Sequence, residues 1–125
     1  MPYFALAERR LKARYPADGL VVSVRKKGGL LHLQGLATDF NRYGIALLLK
    51  QALAKDTKVF ISLGFGEIQI QNVVGIVHNC LAIQDSYRCG IQFRTASNQQ
   101  MERNETNMRL RNLEEQFIAA EATTS

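Results

Sequence analysis

The sequence predicts a mainly β protein, an antiparallel barrel or sandwich of six short strands followed by one α-helix. Residues 20–94 contain short stretches in which apolar and polar residues alternate, with turn signals between them. Residues 97–121 are polar, contain neither Gly nor Pro, and carry apolar residues at helical spacing. With 125 residues, of which 46% are hydrophobic, the chain fits one domain, 1–125, with a small core. Ahead of the strands, residues 1–19 form an arginine-bearing segment.

The strands follow from their period-2 patterns and from the turns between them. Residues 87–93 alternate cleanly, whereas the long strand 67–80 slips in phase between Ile70 and Val73. An inserted residue explains such a slip, so we expect a β-bulge near Asn72. The six predicted strands span residues 20–25, 30–37, 44–49, 57–63, 67–80 and 87–93.

One amphipathic C-terminal helix is predicted over residues 97–121, with Ser97 as its N-cap. Its apolar stripe can cover one mouth of the barrel, or it can pair with the same helix of a second copy in a homodimer. The stripe consists of Met101, Met108, Leu113 and Phe117, with Leu110 and Ile118 beside them.

The positive charge of the chain is concentrated in its first half. Residues 1–58 hold 11 Lys and Arg against 4 Asp and Glu, whereas residues 59–125 hold 5 against 7. We therefore expect an anionic partner to bind to the first half of the chain.

Several classes of protein and of site are disfavoured because the sequence lacks their motifs. No nucleophile elbow, phosphate-binding loop or metal-ligand spacing is visible, so neither an enzyme nor a metal or cofactor site is expected. No signal peptide or membrane-spanning stretch is visible either, which predicts a soluble, cytoplasmic chain. Cys80 and Cys89 flank a predicted turn at 84–86 and are expected to be reduced core residues that can sit opposite each other.

The first segment that carries chemistry is Arg9-Arg10-x-x-x-Arg14. Guanidinium groups bind phosphate bidentately and stack on bases. Two arginines four positions apart, just outside a sheet, can grip opposite sides of a compact anion. The alternative is a solvated run of charge at the end of a helix.

The second segment is Thr38-Asp39-Phe40-Asn41-Arg42-Tyr43-Gly44, expected between two strands. The carboxylate of Asp39 can accept hydrogen bonds from the N1–H and N2–H donors of a guanine, and Asn41 offers both a donor and an acceptor. Gly44 would allow close backbone approach or a positive φ. The alternative is a loop whose Asp and Asn side chains cap its own turns.

Taken in order, the two segments resemble the PilZ domain, whose pattern is RxxxR followed by (D/N)xSxxG. The resemblance covers residues 8–94, because Gly75–His78 and Arg88–Phe93 also look like the last strand pair of that family. It implies a six-stranded antiparallel barrel that binds the bacterial second messenger cyclic di-GMP, commonly as an intercalated dimer. A receptor of this kind passes its signal to a partner, so an unidentified effector protein is implied.

The resemblance also assigns roles to particular residues. Arg10 and Arg14 would hold phosphates and stack on guanines, with Arg9 assisting. Asp39 would read a guanine edge, and Gly44 matches the motif glycine.

Three further positions are candidate ligand contacts. Asn41 stands where the motif has serine. Its side chain is larger than that of serine, and it either weakens ligand binding or leaves it intact. His78 lies on a strand expected beside the site, and Arg42 lies inside the second motif. For both of these the alternative is a solvated side chain.

Two other functions stay open on the sequence. One is a PilZ-type adaptor that has lost nucleotide binding and acts through protein contacts. The other is a basic nucleic-acid-binding barrel, in which Phe40, Tyr43 and Phe60 would stack on bases. Binding of a polymer should weaken steeply with salt, whereas binding of a two-phosphate ligand should not. The sequence does not indicate whether the process is motility, adhesion, secretion or polysaccharide export.

Overall fold

The computed structural model describes residues 15–94 and 100–124, with the side chains of residues 16–94 and 105–120 among them. Ser97 and the side chain of Met101 lie outside these residues. The described chain contains seven strands and one helix: β1 (Tyr15–Pro16), β2 (Val21–Lys26), β3 (His32–Asn41), β4 (Gly44–Leu49), β5 (Lys58–Phe65), β6 (Ile68–Ile83), β7 (Ser86–Phe93) and α1 (Gln100–Thr124).

Six of these strands close into an antiparallel barrel. The hydrogen-bonded order is β3-β2-β5-β6-β7-β4, and pairing of β4 with β3 closes the ring. The two-residue strand β1 pairs with the end of β3, beyond the part of β3 that pairs with β2. Tyr15 is opposite Phe40 and Pro16 is opposite Asp39. The predicted six-stranded antiparallel barrel is therefore confirmed.

The barrel interior is filled by the alternate residues that the period-2 patterns point inward. In β4, Ile45, Leu47 and Leu49 belong to the core, whereas Ala46 is buried on the opposite face. The predicted bulge in β6 is confirmed, because Gln71 and Asn72 together face Ser62, and Asn72 has a φ of 55°.

The end of β3 differs from the sequence prediction. The strand continues to Asn41 instead of ending at residue 37, so Asp39 and Asn41 lie on the strand and not in a loop. A bulge at Thr38 allows this extension, and the Thr38 hydroxyl donates to the carbonyl of Ala46 at 3.2 Å. Thr38 and Asp39 are tolerated here because they are partly exposed, whereas the buried Asn41 side chain is satisfied by backbone N–H groups of the following turn.

Helix α1 covers the end of the barrel at which β3 finishes. The Phe117 ring lies 5.8 Å from that of Phe40 and 4.8 Å from that of Phe65, and Leu110 and Leu113 are fully buried. The capping role proposed for the apolar stripe is therefore present. The described helix is not long and apolar enough to cross a membrane.

Two members of the predicted stripe do not face the barrel. Met108 is 62% exposed and Ile118 is 39% exposed. The buried residues are spaced three and four apart along α1, and Met108 and Ile118 fall beside this line. If the stripe is the face that covers the barrel, the inclusion of Met108 was wrong, whereas Ile118 was expected only beside the stripe.

Cys80 and Cys89 are Cα partners on β6 and β7, with their sulfur atoms 2.8 Å apart. Burial raises the pKa of the Cys89 thiol to about 12, and the hydrogen bond with Cys80 adds to the rise. The folded state keeps the Cys89 proton to a higher pH than the unfolded chain does. The contribution of this thiol to the free energy of unfolding is therefore complete below the unfolded pKa of about 8.5. It is lost as the pH rises towards 12.

We expect this thiol to lower the free energy of unfolding by about 1.4 kcal/mol for each pH unit above roughly 9. Denaturant unfolding of the wild type and of Cys89→Ala at pH 7, 9 and 10 isolates the contribution, since the other titrating groups are common to both proteins. Parallel pH dependences in the two proteins would contradict it.

Candidate functional site

The second motif lies at one end of a row of four cross-strand partners on the outside of the barrel. Asp39 of β3 is opposite Ala46 of β4, Ala46 is opposite Gly90 of β7, and Gly90 is opposite Asn79 of β6. Three interstrand spacings separate the two ends, so the row is at most about 14 Å long. The result is a flat floor of two small residues with a carboxylate at one end and a carboxamide at the other.

A cavity of about 320 Å³ opens over this floor. Its walls combine polar groups with apolar surface, and they come from the motif, β4, β6 and β7. The lining residues are Asn41, Tyr43, Ala46, His78, Asn79, Arg88, Gly90 and Gln92.

Asn41 builds the turn that ends the motif strand. Its Oδ1 accepts hydrogen bonds from the backbone N–H groups of Tyr43 at 2.8 Å and Gly44 at 2.9 Å. This is the local cap that the sequence left as an alternative for Asn41, and a shorter serine would reach these amides differently. Positive φ angles occur at Gly19, Gly28 and Gly66 among the described glycines, and Gly44 is not one of them, so that part of the expectation for Gly44 was wrong.

The carboxylate of Asp39 is held by an arginine from the neighbouring wall. Arg88 Nη2 lies 3.3 Å from Asp39 Oδ2, and the two side chains are 47% and 26% exposed. The pair fixes the position of the carboxylate beside the cavity, whose lining includes Arg88 but not Asp39. An ion pair this exposed contributes little to stability, so its geometry matters more than its energy.

The far end of the floor is formed by Asn79 and by the bulge beside it. Asn79 Oδ1 accepts a hydrogen bond from Gly90 N at 3.1 Å. A Cβ atom at Gly90 would lie 2.9 Å from the same oxygen, so a larger residue here would displace the Asn79 side chain. His78 is the extra residue of a bulge between Val77 and Asn79, and its exposed side chain reaches the cavity lining.

Comparison with known proteins agrees with this geometry. Residues 8–108 match the PilZ domain family. The chain belongs to the PilZ family. No curated protein sequence matches it.

Two solved structures of K. pneumonia MrkH share the PilZ fold of this chain. The structure in its apo state superposes with a TM-score of 0.72, and that of the 2.65 Å P2(1) crystal with 0.70, each at 17% sequence identity. Each superposition covers 91% of this chain and 51% of the MrkH chain, so this chain spans about half the length of MrkH.

The three arginines of the first PilZ motif, Arg9, Arg10 and Arg14, lie outside the described residues. The described chain begins at Tyr15, the residue after Arg14, and Tyr15 is the partner of Phe40 in the second motif. The residue that follows the first motif in the sequence is therefore opposite a residue of the second motif, at the end of β3.

Arg42 is directed away from the cavity. Its Nε and Nη2 atoms donate to Glu114 Oε1 of α1 at 2.9 and 2.8 Å, and its backbone N donates to Glu114 Oε2 at 2.9 Å. The hydrogen bond to Glu114 raises the pKa of the Arg42 guanidinium. The side chain is therefore not fully solvated, and its contact with a phosphate stays a prediction.

The PilZ cavity also contains residues that sequence reasoning did not select, namely Asn79, Arg88, Gln92 and Tyr43. The alternation of β7 does place Arg88, Gly90 and Gln92 on one face. Only the pairing of β4 with both β3 and β7 brings that face next to Asp39, and no local pattern specifies this pairing.

Proposed function

We propose that this chain is a cyclic di-GMP receptor and that the ligand binds over the Asp39–Asn79 row. The observation that carries the proposal is that Asn41 and Tyr43 of the second motif line a cavity with a floor of two small residues, in a chain of the PilZ family. A planar base can lie over Ala46 and Gly90 because neither residue projects a long side chain.

The polar groups at the edges suit a guanine. Two acceptor oxygens on Asp39 match the N1–H and N2–H donors of the base, and Asn79 and Gln92 offer further donors and acceptors. At about 320 Å³ the cavity is near the lower limit of small-molecule sites, roughly 300–1,000 Å³, so it holds only part of a dinucleotide. The phosphates and the second base would then be gripped by Arg9, Arg10 and Arg14.

Isothermal titration calorimetry of the purified chain with cyclic di-GMP, and with GTP as control, tests the proposal. Saturable binding of cyclic di-GMP and none of GTP is expected. Absence of both heat and a thermal shift at high ligand concentration would exclude the receptor function.

Asp39→Asn is expected to weaken cyclic di-GMP binding by about 10- to 100-fold, the equivalent of about 1.4–2.7 kcal/mol. The amide replaces one acceptor by a donor, which faces a donor of guanine, and it removes the charge that pairs with Arg88. Calorimetric Kd values of the variant and the wild type measure the change.

Asp85→Asn is the matched control, because Asp85 is 87% exposed at the β6–β7 turn and loses the same charge. Its affinity should stay within about two-fold of the wild type. Equal losses in the two variants would show that Asp39 acts only through overall charge.

Ligand-dependent signalling to an effector protein is part of the proposal. Binding of two phosphates near the arginines would remove positive potential from this side of the molecule, a change that a partner can sense.

An adaptor without nucleotide binding is the second candidate, favoured by an apolar row on the outside of the barrel. Val21 is opposite Leu36, and Leu36 is opposite Leu48. Val21 and Leu36 are 64% and 66% exposed, so both are available to a protein partner. If calorimetry shows no binding of cyclic di-GMP, the adaptor function is the candidate that remains.

The nucleic-acid alternative loses most of its support. Of its three candidate stacking residues, Phe40 is fully buried, and Phe60 is half-buried with the Arg25 guanidinium 4.7 Å from its ring centroid. Tyr43 alone among them is exposed, at 48%.

A further inference from the structure

The binding motif is held in place by a side chain that lies some seventy residues later in the sequence. Three consecutive backbone N–H groups form the turn after β3, those of Arg42, Tyr43 and Gly44. Asn41 satisfies the second and third, and Glu114 of α1 satisfies the first at 2.9 Å. The turn therefore depends on the helix as well as on its own strand.

Glu114 is unusual in its position because it is a carboxylate that is only 5% exposed. A buried charge is costly unless it is paired and fully hydrogen-bonded. Its two oxygens are used separately: Oε2 accepts from the backbone N of Arg42, and Oε1 accepts from both Nε and Nη2 of the guanidinium. Neighbouring Leu113 and Phe117 already supply the apolar packing, so packing does not explain a carboxylate here.

We infer that Glu114 is a positioning residue for the ligand site and that it couples the motif turn to helix α1. The inference rests on the proposed function, because the coupling matters only if the cavity binds a nucleotide. Coupling between two sites is reciprocal, so a helix that orders the motif must itself be more firmly docked when ligand is bound. Helix α1 is then the element whose docking reports occupancy of the cavity.

Glu114→Gln tests this inference with little change of shape. Glutamine offers one acceptor oxygen where the native contacts use two, so it cannot serve both the backbone N and the guanidinium fork of Arg42. Glu105→Gln is the matched control, since Glu105 lies on the same helix and pairs with Arg109 at 2.7 Å, but is 59% exposed.

The first measurement uses ligand-free protein. Amide hydrogen exchange of Arg42, Tyr43 and Gly44, followed by NMR, should be faster by about ten-fold or more in Glu114→Gln and unchanged in Glu105→Gln. Wild-type exchange rates in Glu114→Gln would overturn the inference, whether or not a nucleotide binds.

The second measurement uses cyclic di-GMP. Glu114→Gln should raise the calorimetric Kd by about five-fold or more, and ligand should slow exchange of the Leu110 and Leu113 amides in the wild type but not in the variant. If the wild type binds cyclic di-GMP and Glu114→Gln binds it with the same Kd, the inference is also overturned.

Failure of the wild type to bind would instead overturn the proposed function, and the ligand-free exchange would then decide alone whether Glu114 positions the turn. If Glu114→Gln does not fold, Glu114→Asp replaces it, because aspartate keeps the charge but is one methylene too short to reach both the backbone N and the guanidinium of Arg42. The same criteria apply to it.

Discussion

Replacing Arg10 and Arg14 together with alanine is expected to lower the affinity for cyclic di-GMP by at least about 100-fold. Hydrogen bonds to charged groups contribute about 1.5–3 kcal/mol each, so two arginines that hold phosphates account for about 3–6 kcal/mol. The segment that carries them joins the barrel at Tyr15, which is opposite Phe40 of the second motif. Calorimetry with cyclic di-GMP measures the loss.

The control for this double variant is Lys26→Ala with Lys27→Ala. Both lysines are exposed at the β2–β3 turn, and the control removes the same two positive charges. They precede β3, whereas the second motif lies at its far end, so most of this ten-residue strand separates the lysines from the second motif. We expect a Kd within about three-fold of the wild type, because an exposed charge at this distance is largely screened.

Two results would contradict the assignment of the arginines. Binding of the Arg10 and Arg14 variant within ten-fold of the wild type would show that they do not grip the phosphates. Similar losses in the lysine and arginine variants would show a long-range effect of net charge. Circular dichroism of each variant confirms that it is folded before it is titrated.

The strands were predictable because each has one face in the core. Residues 44–49 were predicted to form a strand and do so at those bounds, since a short continuous apolar run between two turns is typical of a buried strand. The bulge near Asn72 was predictable for the same reason, because an inserted residue shifts the phase of every later side chain.

The end of β3 was harder to predict because most of its residues are polar. Thr38, Asp39 and Asn41 have the composition of a loop, yet they continue the strand. The bulge at Thr38 and the pairing with β4 satisfy their backbone, and neither leaves a local signal in the sequence. The resemblance to the PilZ family placed these residues in the site without showing how the strand presents them.

Glu114 shows most clearly what the sequence does not reveal. Glu114 and Glu115 are adjacent and chemically identical, yet the first is buried and the second is exposed. Their difference depends on the rotation of α1 against the barrel and on Arg42, which lies on a distant turn. Arg88 is similar, because its contact with Asp39 requires two strand pairings that involve β4.

Phe40→Ala is expected to lower the free energy of unfolding by about 3–5 kcal/mol, the range found for large-to-small changes of buried aromatic residues. The ring is fully buried and lies 6.0 Å from that of Phe93 and 5.8 Å from that of Phe117. It therefore joins β3, β7 and α1 at the covered end of the barrel. Urea unfolding followed by circular dichroism measures the loss.

Phe60→Ala is the matched control because the same side chain is removed from a half-buried position beneath Arg25. We expect a loss of about 1–2 kcal/mol there, since less surface leaves water and the site can relax. A smaller loss for Phe40 than for Phe60 would contradict the packing of α1 against the end of β3. Because Phe40 lies between Asp39 and Asn41, its replacement should also weaken cyclic di-GMP binding under conditions in which the variant is still folded. Unchanged binding would mean that the motif keeps its geometry without the aromatic core beneath it.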